Sequence, residues 1–139
     1  MEISYNISLN ELINLEKLCF GESAYKPKQL EDILKDKELY KVITVVEKEA
    51  FLGYVIIFNN SESIEIMKIA TLPEFREKGI GRLLIQEILK YKMGIFLEVR
   101  ENNKIARNFY LKCGFEEVGK RKNYYSDTKE AAIIMQKNI

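Results

Sequence analysis

The sequence predicts one mixed α/β domain, and three features of its 139 residues support this prediction. Short β-branched and aromatic runs alternate with helical patterns, which indicates that strands and helices share one fold. No linker, repeat or low-complexity tract divides the chain, and its length suits a single domain. Hydrophobic residues make up 47% and charged residues 31%, the proportions of an ordinary globular protein. We therefore expect residues 1–139 to form one domain.

The first half of the chain predicts a short strand, two helices and three longer strands. Ser8 or Asn10 can cap a first helix that continues to about Phe20, and Pro27 suits the first turn of the second helix. Apolar spacing gives each helix one buried face, formed by Leu12, Leu15, Leu18 and Cys19 and by Leu30, Ile33 and Leu34. Strands are expected at Glu2–Ile7, Tyr40–Val46, Phe51–Phe58 and Ile64–Thr71.

The second half alternates helices with strands. One helix opens at Ile80, and a second covers Lys104–Cys113, capped by Asn102 or Asn103. Their apolar faces are expected to consist of Ile80, Leu83, Leu84 and Ile88 and of Ile105, Phe109 and Cys113. Strands are expected at Ile95–Val99, Phe115–Tyr125 and Ala131–Met135. The predicted order of elements is βααβββαβαββ.

Composition argues against several classes of function. The formal net charge is +1, so no general attraction to nucleic acid or membranes is expected. No apolar run approaches the roughly 20 residues of a transmembrane helix, and no signal-peptide pattern is present. Cys19 and Cys113 lack metal or redox spacing and are typical of reduced thiols in a cytoplasmic protein. Because the sequence has no histidine and no compensating Asp, Glu or Cys cluster, we expect no metal site, and proton transfer near neutral pH must use a carboxylate, tyrosine, cysteine, lysine or water.

The stretch Ile69–Arg82 has the pattern of an anion-binding turn. A strand end breaks at a proline, passes through a charged turn to Gly79 and Gly81, and opens a helix. Such a turn presents free backbone N–H groups, and the helix dipole adds roughly half a positive charge at that end. Arg82 stands where a nucleoside-triphosphatase loop needs lysine, and Leu84 replaces the third glycine of a dinucleotide-binding loop. An ordinary strand–turn–helix connection remains the alternative.

Glu98 is an unusual residue for the apolar strand Ile95–Val99. A βαβ crossover returns the chain to the same sheet, and ligands of open sheets bind beyond the carboxyl ends of the strands. We therefore expect Glu98 to lie at the same carboxyl end of the strands as the anion-binding turn. A surface-facing residue at a strand end is the structural alternative.

Several motifs together resemble those of the GCN5-related N-acetyltransferase (GNAT) superfamily. The pattern Arg76-x-x-Gly79-x-Gly81 is similar to its pyrophosphate-binding motif. The stretch Leu97–Phe115 is similar to its block L-E-V-R-x-x-N…A…Y-x-x-x-G-F. The tail Arg121–Met135 resembles the ending R-x-N-Y-Y…D-A-I-I-M of the RimI type, which acetylates the N-terminal alanine of the eighteenth small-subunit ribosomal protein. These motifs occur in the family's order and cover about residues 64–137.

The resemblance implies a mixed, mostly antiparallel sheet of six to seven strands, flanked by four helices and splayed at the cofactor site. It also implies direct acetyl transfer from acetyl-CoA, with Glu98 as general base and Tyr110 as general acid for the leaving thiolate. Tyr25, Tyr124 and Tyr125 are expected to line the acceptor site. The residues implied to contact acetyl-CoA are Ile69, Ala70, Thr71, Arg76, Glu77, Lys78, Gly79, Ile80, Gly81, Arg82, Asn103 and Ala106.

The acceptor is the least determined part of this interpretation. Ala24-Tyr25 stands where the RimI type usually has Pro-Trp, and Ala131 stands where it has an acidic residue. We expect a monomer whose partner is a protein N-terminus, that of a small-subunit ribosomal protein, with no direct nucleic-acid contact. An acetyltransferase for a small amine or a lysine side chain remains open. A non-catalytic acetyl-CoA-binding module is also open, although such a module needs neither Glu98 nor Tyr110.

Overall fold

The computed structural model describes residues 1–122 and 124–139, and over these residues the elements follow the predicted order. Two short 3₁₀ turns, Gly21–Ser23 and Pro73–Phe75, precede the second and third helices. The strands are β1 Glu2–Ser4, β2 Tyr40–Glu47, β3 Ala50–Asn59, β4 Ser63–Thr71, β5 Gly94–Arg100, β6 Glu116–Arg121 and β7 Ala132–Lys137. The helices are α1 Leu9–Phe20, α2 Pro27–Lys35, α3 Ile80–Leu89 and α4 Lys104–Lys112.

The strands form one sheet in the order β1-β2-β3-β4-β5-β7-β6. Every neighbouring pair is antiparallel except β4 and β5, which are parallel because α3 carries the chain across between them. That parallel pairing covers only Ser63–Ile66 against Gly94–Leu97, and beyond it the two strands separate. The prediction of a mostly antiparallel sheet of six to seven strands, splayed in the middle, is confirmed.

A β-bulge lies where β4 and β5 separate. Ile57 pairs with Ile66, whereas Ile56 pairs with Lys68, so Met67 is the extra residue on β4. A bulge bends its strand and increases the local twist. The bulge therefore accounts for β4 leaving β5 at this point while remaining paired to β3.

Apolar residues pack on both faces of the sheet. One cluster joins the sheet to α3 and α4 and includes Ile66, Leu84, Leu97 and Tyr110. The other joins the sheet to α1 and α2, with Leu12 and Leu30 at its centre. The sheet therefore separates two layers of helices, and the opening between β4 and β5 connects their two sides.

Gly53 brings the start of α3 close to the sheet. A Cβ atom at Gly53 would lie 2.7 Å from Cγ2 of Ile80 and 2.8 Å from the carbonyl oxygen of Ala70. Because glycine leaves this space free, Ile80 packs directly on the sheet at 1% exposure. The turn that precedes α3 is thereby held next to the end of β4.

Two predicted helix faces are wrong at one position each. Leu18 is 59% exposed and Ile105 is 87% exposed. Leu18 lies six residues after the buried Leu12, which on a 3.6-residue helix is about 120° around the helix and so at the edge of the buried face. Similarly, Ala106 and Tyr110 rather than Ile105 face the sheet from α4.

The ends of several strands also differ from the prediction. The first strand ends at Ser4 instead of Ile7, and β6 ends at Arg121 instead of Tyr125. Tyr124 and Tyr125 therefore lie in the loop between β6 and β7. Asn123, part of the tail motif, lies outside the described residues.

Candidate active site

The opening between β4 and β5 has one unpaired backbone edge along β4. Ile69, Ala70 and Thr71 pair on one side with Val55, Tyr54 and Gly53 of β3. On their other side the pairing with β5 has ended at Ile66. Backbone N–H and C=O groups of an unpaired edge are available to an extended ligand. The strand end predicted to contact a cofactor is thus open toward the cleft.

The turn before α3 is built to leave backbone N–H groups free. Glu77 and Gly79 both have positive φ, at 64° and 81°, and Gly79 is the N-cap of α3 without a side-chain cap. The first turn of α3 contains no acidic residue that could occupy the N–H groups. A Cβ atom at Gly79 would meet nothing within 4 Å. The turn is therefore an uncapped, open helix N-terminus, which favours an anion.

Cationic side chains surround this helix N-terminus. Arg76, Lys78 and Arg82 form no salt bridge with any carboxylate among the described residues. Arg76 and Lys78 are exposed, and Lys78 lies 5.7 Å from the centre of the Phe75 ring. Their charge adds to that of the helix dipole. The turn can accordingly bind a group with several negative charges, such as a pyrophosphate.

Gly81 allows α3 and α4 to approach each other at the edge of this turn. A Cβ atom at Gly81 would lie 2.9 Å from Cζ of Phe109. Nearby, the Asn103 side chain caps α4 by accepting a hydrogen bond from the Ala106 backbone N–H at 3.2 Å. The structure thus assigns Asn103 a capping role, and its amide group remains exposed at the start of α4.

Glu98 is the least satisfied polar group at the opening. Its side chain is 15% exposed, and Oε1 lies 3.5 Å from Nη1 of Arg121. Oε2 is buried and has no hydrogen-bond partner among the described residues. A buried carboxylate oxygen without a donor is costly and is typical of a site that is completed by a ligand.

A second carboxylate lies near Glu98. Burial and then the negative charge of Glu98 raise the pKa of Glu65, while Arg121 lowers it. The β4–β5 register explains this proximity, because Glu65 lies opposite Phe96, two residues before Glu98. Two carboxylates therefore lie in this region beside the single guanidinium of Arg121, and they can bind a cationic group such as an ammonium.

Tyr110 lies on the α4 side of the sheet, inside the apolar cluster that joins the sheet to α3 and α4. It is 5% exposed and packs edge-on against Phe109 and Phe115, with ring centres 5.3 and 5.5 Å away. Burial raises the pKa of Tyr110, so its hydroxyl keeps its proton at neutral pH and can act as a donor. Leu97 and Val99 face the same apolar cluster as Tyr110. The alternation along β5 therefore directs Glu98 to the opposite face.

The three predicted acceptor-site tyrosines lie around the carboxylates. The pKa of Tyr25 is raised by burial, then by Glu16, Glu65 and Tyr124. Burial also raises the pKa of Tyr125; Arg100 opposes this effect, and Glu98 adds to it. Tyr124 and Tyr125 contact each other edge-on, with ring centres 5.1 Å apart.

Glu130 holds the loop that carries Tyr125. Its carboxylate accepts a hydrogen bond from the Asn102 backbone N–H at 2.8 Å and lies 3.5 Å from Nη1 of Arg100. The Arg100 guanidinium in turn covers the Tyr125 ring at 4.1 Å. An acidic residue is thus present one position before Ala131, and it connects this loop to the end of β5.

Comparisons with known proteins agree with this geometry. The Acetyltransferase (GNAT) family matches residues 9–115. The chain belongs to the GNAT acetyltransferases. The enzyme named "[Ribosomal protein bS18]-alanine N-acetyltransferase" from Haemophilus influenzae is 35% identical over 106 residues, or 70% of this chain and 72% of that protein.

Solved structures share the fold. The ribosomal-protein-S18-alanine N-acetyltransferase from Escherichia coli superposes with a TM-score of 0.86 at 25% identity, covering 97% of this chain and 91% of that one. An aminoglycoside 6′-N-acetyltransferase crystallised with coenzyme A has a TM-score of 0.81 at 16% identity, covering 99% and 96%, and shows the fold alone. The predicted family and enzyme class are confirmed.

This GNAT enzyme has a buried ion pair beside Tyr25 that was not predicted from the sequence. Glu16 of α1 is 0% exposed and lies 2.9 Å from Nζ of Lys68 on β4. One signal was present in the sequence, since Lys68 interrupts the apolar run Ile64–Thr71 and Glu16 lies four residues after Leu12, on the same helix face. Neither pattern indicates that the two side chains contact each other.

The described residues contain no group of three or more Cys, Asp or Glu side chains arranged to hold a metal ion. None of the described helices is long and apolar enough to cross a membrane.

Proposed function

We propose that this GNAT enzyme transfers acetyl from acetyl-CoA to the N-terminal α-amine of a protein, and that its substrate is the N-terminal alanine of ribosomal protein bS18. The names of the similar enzymes from Haemophilus influenzae and Escherichia coli support this choice of substrate. The observation that carries the proposal is the buried, unpartnered Oε2 of Glu98 beside the cleft. It supplies a proton acceptor at the point where an amine would have to be deprotonated.

The proposed acetyl-CoA site follows the free groups along the cleft. The pyrophosphate binds the backbone of residues 76–82, where Gly79 leaves space and Arg76, Lys78 and Arg82 supply charge. The pantetheine arm lies along the unpaired edge Ile69–Thr71, near Asn103 and Ala106. The open space at Gly79 and the unpaired edge of β4 support the fit.

The proposed catalytic pair separates the two proton transfers. Glu98 accepts a proton from the α-ammonium, whose ordinary pKa of about 7.7–8.0 makes this easier than for a lysine with a pKa of about 10.4. The neutral amine attacks the acetyl carbonyl, a C–N bond forms and the C–S bond breaks. Tyr110, which is kept protonated by burial, donates the proton that the thiolate requires. No covalent acetyl-enzyme is needed.

The acceptor peptide is proposed to enter between Tyr25 and the Tyr124–Tyr125 pair, with its ammonium toward Glu98 and Glu65. Aromatic side chains provide large contact area at low conformational cost. The negative charge of the two carboxylates supports a cationic N-terminus over a neutral acceptor. With this substrate we propose that the protein acts in the cytoplasm, as a monomer and without direct nucleic-acid contact.

An acetylation assay tests the proposal. An Ala-Arg-Tyr-Phe peptide, the same peptide with a blocked N-terminus and an internal lysine, and small polyamines are compared by mass spectrometry of the products. We expect kcat/KM for the free α-amine to exceed that for the lysine peptide by at least about tenfold, since a lysine must lose a proton with a pKa about 2.5 units higher. Activity confined to polyamines would refute the proposed acceptor.

A further inference from the structure

The Glu16 carboxylate connects four parts of the chain. Within the described residues, Oε1 accepts hydrogen bonds from the Tyr25 backbone N–H at 2.7 Å and from Nζ of Lys68 at 2.9 Å. Oε2 accepts a hydrogen bond from the Tyr54 hydroxyl of β3. Helix α1, the loop after it, β3 and β4 therefore meet at one fully buried carboxylate.

Lys68 holds the same loop from the opposite side. Its ammonium donates a hydrogen bond to the Ser23 carbonyl oxygen at 2.8 Å. It also lies 4.1 Å from the centre of the Phe20 ring and 4.0 Å from that of the Tyr25 ring. Only 12% of the Lys68 side chain is exposed. The ammonium thus contacts the backbone and the aromatic side chains of residues 20–25, in addition to its salt bridge.

This ion pair does more than fill the space beneath α1. An apolar pair of similar volume would pack there at no cost in desolvation, and a buried salt bridge by itself is weak evidence for stability. An apolar pair could not form hydrogen bonds with the Tyr25 N–H and the Ser23 carbonyl oxygen. The two charges satisfy these loop groups and fix the conformation of residues 21–26.

The position of Lys68 links the loop to the cleft. Lys68 directly follows the bulge at Met67 and precedes the unpaired edge Ile69–Thr71 on the same strand. Tyr25, which it holds, lies within the electrostatic influence of Glu65 and Tyr124. Strand β4, along which acetyl-CoA is proposed to bind, therefore also holds Tyr25, the proposed wall of the acceptor site.

We propose that Glu16 and Lys68 are positioning residues for the acceptor: they hold the loop 21–26 so that Tyr25 forms a fixed wall of the acceptor site. This inference rests on the proposed function. It assigns to a buried ion pair the role of selecting which amine reaches the cleft.

The experiment compares Lys68→Met with the wild-type protein. If the loop is in the competent position about one tenth of the time without the ammonium, the KM for an α-amine peptide rises about tenfold, while the Kd for acetyl-CoA changes less than about twofold. The preference for the α-amine over a lysine peptide falls as well. Amide hydrogen exchange at Tyr25 accelerates about tenfold, because its N–H is no longer held by a fixed carboxylate.

Three further variants separate positioning from folding. Lys68→Arg keeps the charge and restores at least part of the acceptor affinity. Tyr54→Phe removes one hydrogen bond to Glu16 and raises the acceptor KM by about threefold, which provides a test if Lys68→Met does not fold. Lys90→Met removes an exposed partner of Glu87, 2.9 Å away at the end of α3, and leaves the KM for the α-amine peptide and the Kd for acetyl-CoA unchanged.

Equal KM values for Lys68→Met and wild type, with the α-amine preference retained, would overturn the positioning role and leave the proposed function intact. A rise in the acetyl-CoA Kd equal to that of the peptide KM would also overturn it, because a general loss of structure affects both substrates. A wild-type protein that acetylates no α-amine would refute the proposed function, and this inference with it.

Discussion

Replacing Glu98 by glutamine tests the centre of the mechanism. The change keeps the shape of a side chain that is 15% exposed, and the amide oxygen can still accept from Arg121, 3.5 Å away. It removes the carboxylate that we propose as general base. General-base catalysis contributes about 10²–10⁴-fold, so kcat/KM at pH 7 is expected to fall at least about 100-fold. The Kd for acetyl-CoA is expected to stay the same, since Glu98 is not among its proposed contacts.

The pH profile distinguishes this loss from a loss of structure. An α-amine with a pKa of about 7.8 is about 14% neutral at pH 7 and about 94% neutral at pH 9. The variant depends on amine that is already neutral, so its kcat/KM is expected to rise about sevenfold between these pH values. The assay measures initial rates with a saturating concentration of acetyl-CoA and a limiting concentration of peptide. Glu62→Gln, at an exposed position in the turn before β4, is the matched control.

Glu65 provides a second readout of the same change. The charge of Glu98 contributes to the raised pKa of Glu65. In Glu98→Gln the pKa of Glu65 is therefore expected to fall, which carbon-detected NMR titration of the carboxyl group can follow. A Glu98→Gln enzyme with the wild-type rate at pH 7 would refute the base assignment, and a large loss of acetyl-CoA affinity would move Glu98 to the cofactor site.

Tyr110→Phe keeps the packing against Phe109 and Phe115 and is expected to lower kcat about tenfold or more. The Kd for acetyl-CoA, measured by calorimetry, is expected to stay the same. Weaker acetyl-CoA binding with a normal kcat would contradict the role of Tyr110 as general acid. Gly79→Ala places a side chain at a φ of 81°, and it is expected to lower the free energy of unfolding by about 1–2 kcal/mol and to weaken acetyl-CoA binding. The control is Gly94→Ala, at a position without positive φ and with open space for the Cβ atom, which is expected to change neither quantity. Equal effects of the two substitutions would refute the turn geometry. The pKa of Tyr54 is raised from its ordinary value of 10.0, first by burial and then by its hydrogen bond to Glu16. Because the folded state holds this proton more tightly than the unfolded state, the associated stability is present below about pH 10 and is lost as the pH rises above it. Tyr54→Phe is therefore expected to flatten the decline in the free energy of unfolding above pH 10, and an unchanged slope in denaturant titrations would contradict this.

The sequence was sufficient to predict the order of elements and the glycine-containing turn before α3, since both depend on local signals. Helix periodicity, the glycines of the turn and the β-branched runs each act over a few residues. The predicted roles of Glu98 and Tyr110 came from motif resemblance, and the structure adds the burial that supports them. These roles remain predictions until the variants are measured.

The parts that could not be predicted depend on tertiary packing. Ile105 is apolar and in a helix, yet it faces solvent, because the sheet lies on the side of Ala106 and Tyr110. The burial of Glu16 depends on Lys68, which is 52 residues away along the chain. A pattern of neighbouring residues in the sequence cannot predict a contact between residues so far apart along the chain.

The single extra residue at Met67 shifts the phase of β4. Before it, Glu65 lies on the face of the sheet toward α1 and α2, and Ile66 faces the apolar cluster of α3 and α4. After it, Lys68 and Ala70 lie on the face toward α1 and α2. With a regular strand the alternation would send Lys68 into that apolar cluster and Ile69 toward Glu16. One inserted residue thus decides which side of the sheet receives the ammonium, and at the same position it separates β4 from β5.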